Sequence, residues 1–152
     1  MFDGKAYLLN SHVAFYKQLK FILMPLRNIT ILLIDDDYDD WEIFDLVIKE
    51  IDPSIKVLHV GYCENAIENL SKKSINPDYI FLDLNMPKMP GHECLIYLKQ
   101  IEHLQHIPIS IYSTSRHLLE RENLLEKGAN YYVNKSNTFD KLLSQIKRII
   151  EN

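Results

Sequence analysis

From Asn28 onward the chain alternates two patterns. A short run of consecutive apolar residues is followed by a longer stretch whose apolar residues recur every three or four positions, and the pair repeats five times. Continuous apolar runs suit strands covered on both faces, and the longer period suits helices with one buried stripe. Strands are expected at Ile29–Ile34, Ile55–Tyr62, Asp78–Leu84, Ile107–Ser113 and Asn130–Asn134. Helices are expected at Tyr38–Ile51, Glu64–Lys73, around His92–Ile101, within Ser115–Gly128 and over Thr138–Ile150. Asp52-Pro53 ends the first helix and Gly128 the fourth. The first helix is expected to turn Trp41, Phe44, Val47, Ile48 and Ile51 inward, and the last Phe139, Leu142, Leu143, Ile146 and Ile149 or Ile150. This alternation implies an α/β fold, a doubly wound parallel sheet of five strands with five helices on its two faces.

At 152 residues the chain suits one domain, and no repeat or low-complexity linker marks a second. We read residues 28–152 as that domain and residues 1–27 as an N-terminal extension. Lys17 and Lys20 interrupt the apolar character of the extension, so it resembles neither a signal peptide nor a membrane span. It is either an amphipathic helix or a stretch upstream of a true start at Met24. The net charge of -4 provides no basic field for nucleic acid. Two cysteines, Cys63 and Cys94, do not suggest a disulfide framework. They read as buried thiols in a reducing, cytoplasmic setting.

Ligands of such folds bind at the carboxyl ends of the strands. Strand one runs into Asp35 and Asp36, and strand three into Asp83, with Asn85 two residues on. Strand four ends at Ser113 and Thr114, and strand five runs into Lys135. Three converging carboxylates are costly unless a cation neutralises them or some take up protons. A hard divalent ion suits oxygen ligands, and Mg2+ is the usual choice where a phosphate also binds. Lys135 balances charge and grips an anion, while the hydroxyl of Ser113 or Thr114 can donate to a phosphoryl oxygen. Together these groups suit phosphoryl transfer with an aspartate as nucleophile.

The segments "ILLIDDD", "IFLDLNMPKMPG", "PISIYSTS" and "YYVNKS" stand in the order and spacing of a two-component response-regulator receiver domain. The chain resembles that family from Ile29 to Asn152. The resemblance implies a flavodoxin-like strand order 2-1-3-4-5 and assigns roles residue by residue. Asp83 matches the phosphoacceptor. Asp35 and Asp36, the latter most directly, match the acidic pair that holds Mg2+ together with Asp83, and Asn85 matches the residue whose backbone carbonyl joins them. Lys135 matches the lysine that contacts the phosphoryl group. Ser113 falls at the hydroxyl switch position and Tyr132 at the aromatic one. The implied partners are a sensor histidine kinase or histidine phosphotransfer protein upstream, and a downstream protein on the face of the fourth helix, fifth strand and fifth helix. With no output domain visible after the last helix, the signal is expected to leave by protein contact, as in a stand-alone regulator. No catalysis is expected beyond the chain's own phosphorylation and dephosphorylation.

Two positions depart from the family pattern. Ser136 follows Lys135 where proline is usual, and the switch hydroxyl is a serine rather than the commoner threonine. A pseudo-receiver that binds partners without phosphorylation is therefore an alternative. An aspartyl-phosphate phosphatase is a further one, since Asp83-x-Asn85 loosely resembles the nucleophile motif of haloacid dehalogenases, but the second aspartate of that motif is missing. Plainer roles are also assigned here. Asp37, Asp39 and Asp40 lie in the loop and first helical turn, where acids favour the helix dipole. Thr114 and Ser115 cap the fourth helix, and His103 and His106 are solvated residues at a helix end.

Overall fold

The computed structural model describes residues 28–135 and 137–151. The expected N-terminal extension with its alternative start at Met24, and the departure at Ser136, lie outside the described residues. Five strands are β1 (Thr30–Ile34), β2 (Lys56–Val60), β3 (Tyr79–Leu82), β4 (Ile109–Ser113) and β5 (Tyr131–Asn134). Five helices alternate with them: α1 (Tyr38–Ile51), α2 (Cys63–Ser71), α3 (Gly91–Gln100), α4 (Leu118–Glu126) and α5 (Phe139–Ile150). A short 3-10 turn at Glu102–Leu104 precedes β4. The sheet is parallel throughout, in the order β2-β1-β3-β4-β5. The central position of β1 and β3 explains their apolar runs, because each buries both faces.

Alternate residues of one strand feed two cores. Ile31 and Leu33 of β1 pack with Phe44, Val47 and Ile48 of α1 and with Leu142, Ile146 and Ile149 of α5. Leu32 and Ile34 pack on the opposite face with Ala66 and Leu70 of α2, Leu95 and Leu98 of α3 and Leu124 of α4. The period of two along a strand thus places α1 and α5 on one side and α2, α3 and α4 on the other. Phe44 anchors the first core, with edge-on ring contacts to Phe81 at 4.8 Å and Tyr112 at 5.3 Å.

Several expectations need correction. Phe139 is exposed rather than inward, because it opens the first turn of α5, ahead of the stripe of Leu142, Ile146 and Ile149 that meets the sheet. Thr114 and Ser115 do not cap α4. That helix begins at Leu118 with His117 at its N-cap and no capping side chain. Ser115 uses its hydroxyl instead as a partner of Glu120 and as an acceptor from the His117 amide at 3.4 Å. His103 is half-buried, with a ring nitrogen 3.0 Å from the Leu70 carbonyl.

Cys63 and Cys94, expected as free thiols, form a disulfide with Cα atoms 5.9 Å apart. They open α2 and lie within α3, two helices that share one face of the sheet, and both are buried. The pairing removes the argument from free thiols for a reducing compartment. Gly128 does end α4, with φ of +102°. The Gly128 amide bonds to the Leu125 carbonyl and the Ala129 amide to that of Leu124, both at 3.0 Å, which satisfies the last carbonyls of the helix.

Candidate functional site

The loops at the carboxyl ends of β1, β3, β4 and β5 bring the site together. β1 and β3 lie side by side, with Ile34 opposite Leu82, so the residues that follow each strand emerge next to one another. Asp35 and Asp83 are both buried, and Asp36 is exposed. Each of the three offers a carboxylate oxygen, and these oxygens lie within 4.8 Å of one another. That all-oxygen, acidic donor set fits a hard divalent cation and is a poor match for softer metals.

Lys135, just beyond β5, reaches into this cluster. Its main-chain N–H donates to the Ser113 carbonyl at 2.9 Å, which locks the start of the side chain beside β4. The buried ammonium then donates to Asp35 Oδ2 at 2.6 Å and to Asp40 Oδ2 at 2.8 Å, and lies 3.2 Å from Asp83 Oδ1. It also sits 5.1 Å above the Tyr112 ring. Burial opposes the Lys135 charge, but the hydrogen bonds to Asp35 and Asp40 outweigh it and raise the pKa above the ordinary lysine value. Asp35 behaves differently. Burial raises its pKa to about 6, and the Lys135 hydrogen bond and charge only partly offset that rise. The directions are compatible, since one ammonium is shared among three acids and cannot fully compensate the most buried of them.

The aspartate-rich segment also organises itself. Asp35 Oδ1 accepts from the Asp37 amide at 3.0 Å. Asp37 in turn caps α1, accepting from the amides of Asp39 at 2.9 Å and Asp40 at 3.4 Å. The acids therefore divide between a site (Asp35, Asp36), a cap (Asp37) and a lysine partner (Asp40). Asp39 lies in the first turn of α1, where the helix dipole favours it. Two contacts were not read from the sequence. Asp40 was assigned only to the helix dipole, yet it sits four residues before Phe44 on the inward stripe of α1, and a charge on a buried stripe signals a partner. His59 places a ring nitrogen 2.7 Å from the Asp35 carbonyl and stacks on Trp41, with ring centres 5.6 Å apart. A lone histidine on an edge strand gave no such signal.

The remaining residues lie around the acids. The Asn85 amide donates to Asp83 Oδ2 at 3.2 Å, so the loop after β3 folds back over the carboxylate. Ser113 is buried at the end of β4, and its hydroxyl accepts from the Ser115 amide at 3.2 Å. The Ser115 carbonyl accepts from the Tyr132 hydroxyl at 2.9 Å and from the Asn134 side-chain amide at 3.1 Å. Tyr132 is half-buried against the core, with Arg121 over its ring at 5.9 Å. Ser113 and Tyr132 are thus tied to one loop residue.

Fold and site together define a receiver. The response regulator receiver domain pattern matches residues 31–147, and the chain belongs to that family. It is 31% identical over 124 residues to response regulator Rcp1 of Synechocystis sp., covering 78% of this chain and 84% of Rcp1. Among solved structures, the phosphorylated cyanobacterial phytochrome response regulator RcpA superposes with a TM-score of 0.72 at 27% identity, covering 82% of this chain and 92% of that one. The Mn(2+)-bound form of Rcp1 gives a TM-score of 0.68 at 29% identity, with 79% of this chain and 90% of that one covered. Several longer curated relatives are matched over only about half their length. Among the described residues no helix is long and apolar enough to cross a membrane.

Proposed function

We propose that this chain accepts a phosphoryl group on Asp83 from the phosphohistidine of a sensor histidine kinase or a histidine phosphotransfer protein. The observation that carries this reading is the convergence of Asp35, Asp36 and Asp83 within 4.8 Å, with the Lys135 ammonium 3.2 Å from Asp83. A carboxylate oxygen of Asp83 attacks phosphorus, and the phosphorus–nitrogen bond to the donor histidine breaks with its electron pair leaving to the imidazole. Lys135 places positive charge beside the oxygens on which negative charge gathers. Asp35, Asp36, Asp83 and the Asn85 backbone carbonyl are assigned to Mg2+. When bound, the ion offsets the charge of the carboxylates and of the incoming phosphoryl oxygens. Catalysis is confined to the chain's own phosphorylation and dephosphorylation.

The readout follows from the hydrogen-bond chain around Ser115. A phosphoryl group on Asp83 gives the Ser113 hydroxyl a strong acceptor to which it can donate. Moving towards it takes the hydroxyl off the Ser115 amide. The loop that carries the Ser115 carbonyl shifts with it, and so does the support of the Tyr132 hydroxyl. The face of α4, β5 and α5, where Leu118, Leu119 and Tyr131 are exposed, then changes its preference for a downstream protein. The net charge of -4 favours a protein over nucleic acid as that partner.

Label transfer tests this reading. A histidine phosphotransfer protein carrying radiolabelled phosphohistidine, mixed with the chain and Mg2+, should pass label to it. The label should be base-labile, as expected of an acyl phosphate, and absent with Asp83→Asn. Label retained by the mutant would overturn the assignment of Asp83. No transfer to folded wild-type protein from any phosphodonor would favour the pseudo-receiver.

A further inference from the structure

We infer that Asp40 is a positioning residue that holds the Lys135 ammonium over the phosphoacceptor while the other acids are in use. The inference rests on the reading of Asp83 as the phosphoacceptor. Lys135 follows β5, and its ammonium meets carboxylates carried by the loops after β1 and β3 and by α1. Such a long side chain keeps one position only if its end is held. Its ammonium donates to Asp35 at 2.6 Å and Asp40 at 2.8 Å and lies 3.2 Å from Asp83. Those carboxylates come from three separate places, the loop after β1, the first turn of α1 and the loop after β3.

The three acids are not equivalent. Asp35 and Asp36 belong to the cation, and Asp83 becomes the acyl phosphate. Once Asp35 turns to a cation and Asp83 carries phosphorus, Asp40 is the partner among these three that has no other duty. It is well placed to stay fixed. Its own amide is held by the Asp37 cap at 3.4 Å, and its helix is anchored by Phe44 one turn later. The Asp40 side chain is 28% exposed, while that of Asp35 is 0% exposed, so Asp40 stays in contact with solvent where Asp35 is enclosed. A lysine held in this way is oriented before the phosphoryl group arrives, which lowers the cost of orienting it during transfer.

A double-mutant cycle between Asp40→Asn and Lys135→Met tests the tether with two readouts. The first is thermal unfolding of the metal-free protein. Asp40→Asn should lower the melting temperature in the wild-type background and leave it unchanged or higher in the Lys135→Met background. The second is the rate of phosphorylation by acetyl phosphate at saturating Mg2+. Asp40→Asn should slow the maximal rate about tenfold with little change in the half-saturating donor concentration, and should add nothing in the Lys135→Met background. Asp40→Glu, which keeps the charge, should recover most of the rate. Equal effects of Asp40→Asn in both backgrounds, in either readout, would overturn the tether. So would a loss confined to the half-saturating concentration. If wild-type protein took no phosphoryl group, the phosphoacceptor reading would fail, while the melting cycle would still decide whether Asp40 holds Lys135.

Discussion

Asp35 shows at the residue scale how one carboxylate can both weaken a fold and serve a site. Its pKa rises from an ordinary 3.8 to about 6 because burial costs more than Lys135 returns. Between those values the folded chain holds a proton that the unfolded chain releases. Stability therefore rises as pH falls from about 6 towards 4, and the penalty is fully present above 6. The shift corresponds to about 3 kcal/mol at most. Metal-free wild-type protein should gain more stability than Asp35→Asn on acidification through this window, measured by urea unfolding at several pH values. Parallel curves for the two proteins would show that Asp35 is not the group responsible. Gly91 acts on the same site by lacking a side chain. A Cβ there would lie 2.1 Å from the Asp83 carbonyl oxygen and 2.6 Å from Leu84 Cα. Gly91→Ala must push that backbone aside, at a cost on the order of 2 kcal/mol. Its Mg2+ affinity, read by calorimetry, should fall with its unfolding midpoint. Asp35, Asp36, Asp83 and Lys135 were all legible in the sequence, because each stands where an apolar strand ends. The link from Asp40 to Lys135 was not, since Asp40 stands in the first turn of a helix, where an acid is already accounted for by the helix dipole.

At the scale of the element, local chemistry explains most boundaries. Asp37 caps α1 and Gly128 closes α4, and both are residue types suited to those positions. Replacing Asp37 with Ala leaves the amides of Asp39 and Asp40 without their acceptor and should cost about 1 kcal/mol in chemical denaturation. An unchanged midpoint would mean that solvent serves these amides equally well. The start of α4 was harder to read. "STSRH" contains three residues that can cap a helix, yet the hydroxyls of Ser113 and Ser115 accept from the Ser115 and His117 amides in the loop after β4, and the helix begins beyond them. Both hydroxyls find partners within five residues, while the Ser113 and Ser115 carbonyls accept from Lys135, Tyr132 and Asn134 of the β5 region, so this segment is held as a loop. The disulfide is a similar case. Nothing in the spacing of Cys63 and Cys94 indicates contact, and only the packing of α2 beside α3 on one face brings them together.

For the molecule as a whole, the alternation of apolar runs and helical stripes was enough to specify a doubly wound parallel sheet, and the strand order expected from family resemblance is the one observed. This architecture gathers Asp35, Asp83, Ser113 and Lys135 from separate strands at one edge, so the chemistry is a consequence of topology as much as of residue type. The same edge lies next to the loop whose Ser115 carbonyl accepts from the Tyr132 hydroxyl, and the proposed function would route a charge added at Asp83 through that loop to the face of α4, β5 and α5. The account depends most on Asp83 itself. Intact-protein mass spectrometry after incubation with acetyl phosphate, with and without Mg2+, is its most direct test. The account predicts the gain of a single phosphoryl group that requires Mg2+ and is absent in Asp83→Asn. No gain by folded wild-type protein, or an equal gain by the mutant, would contradict it.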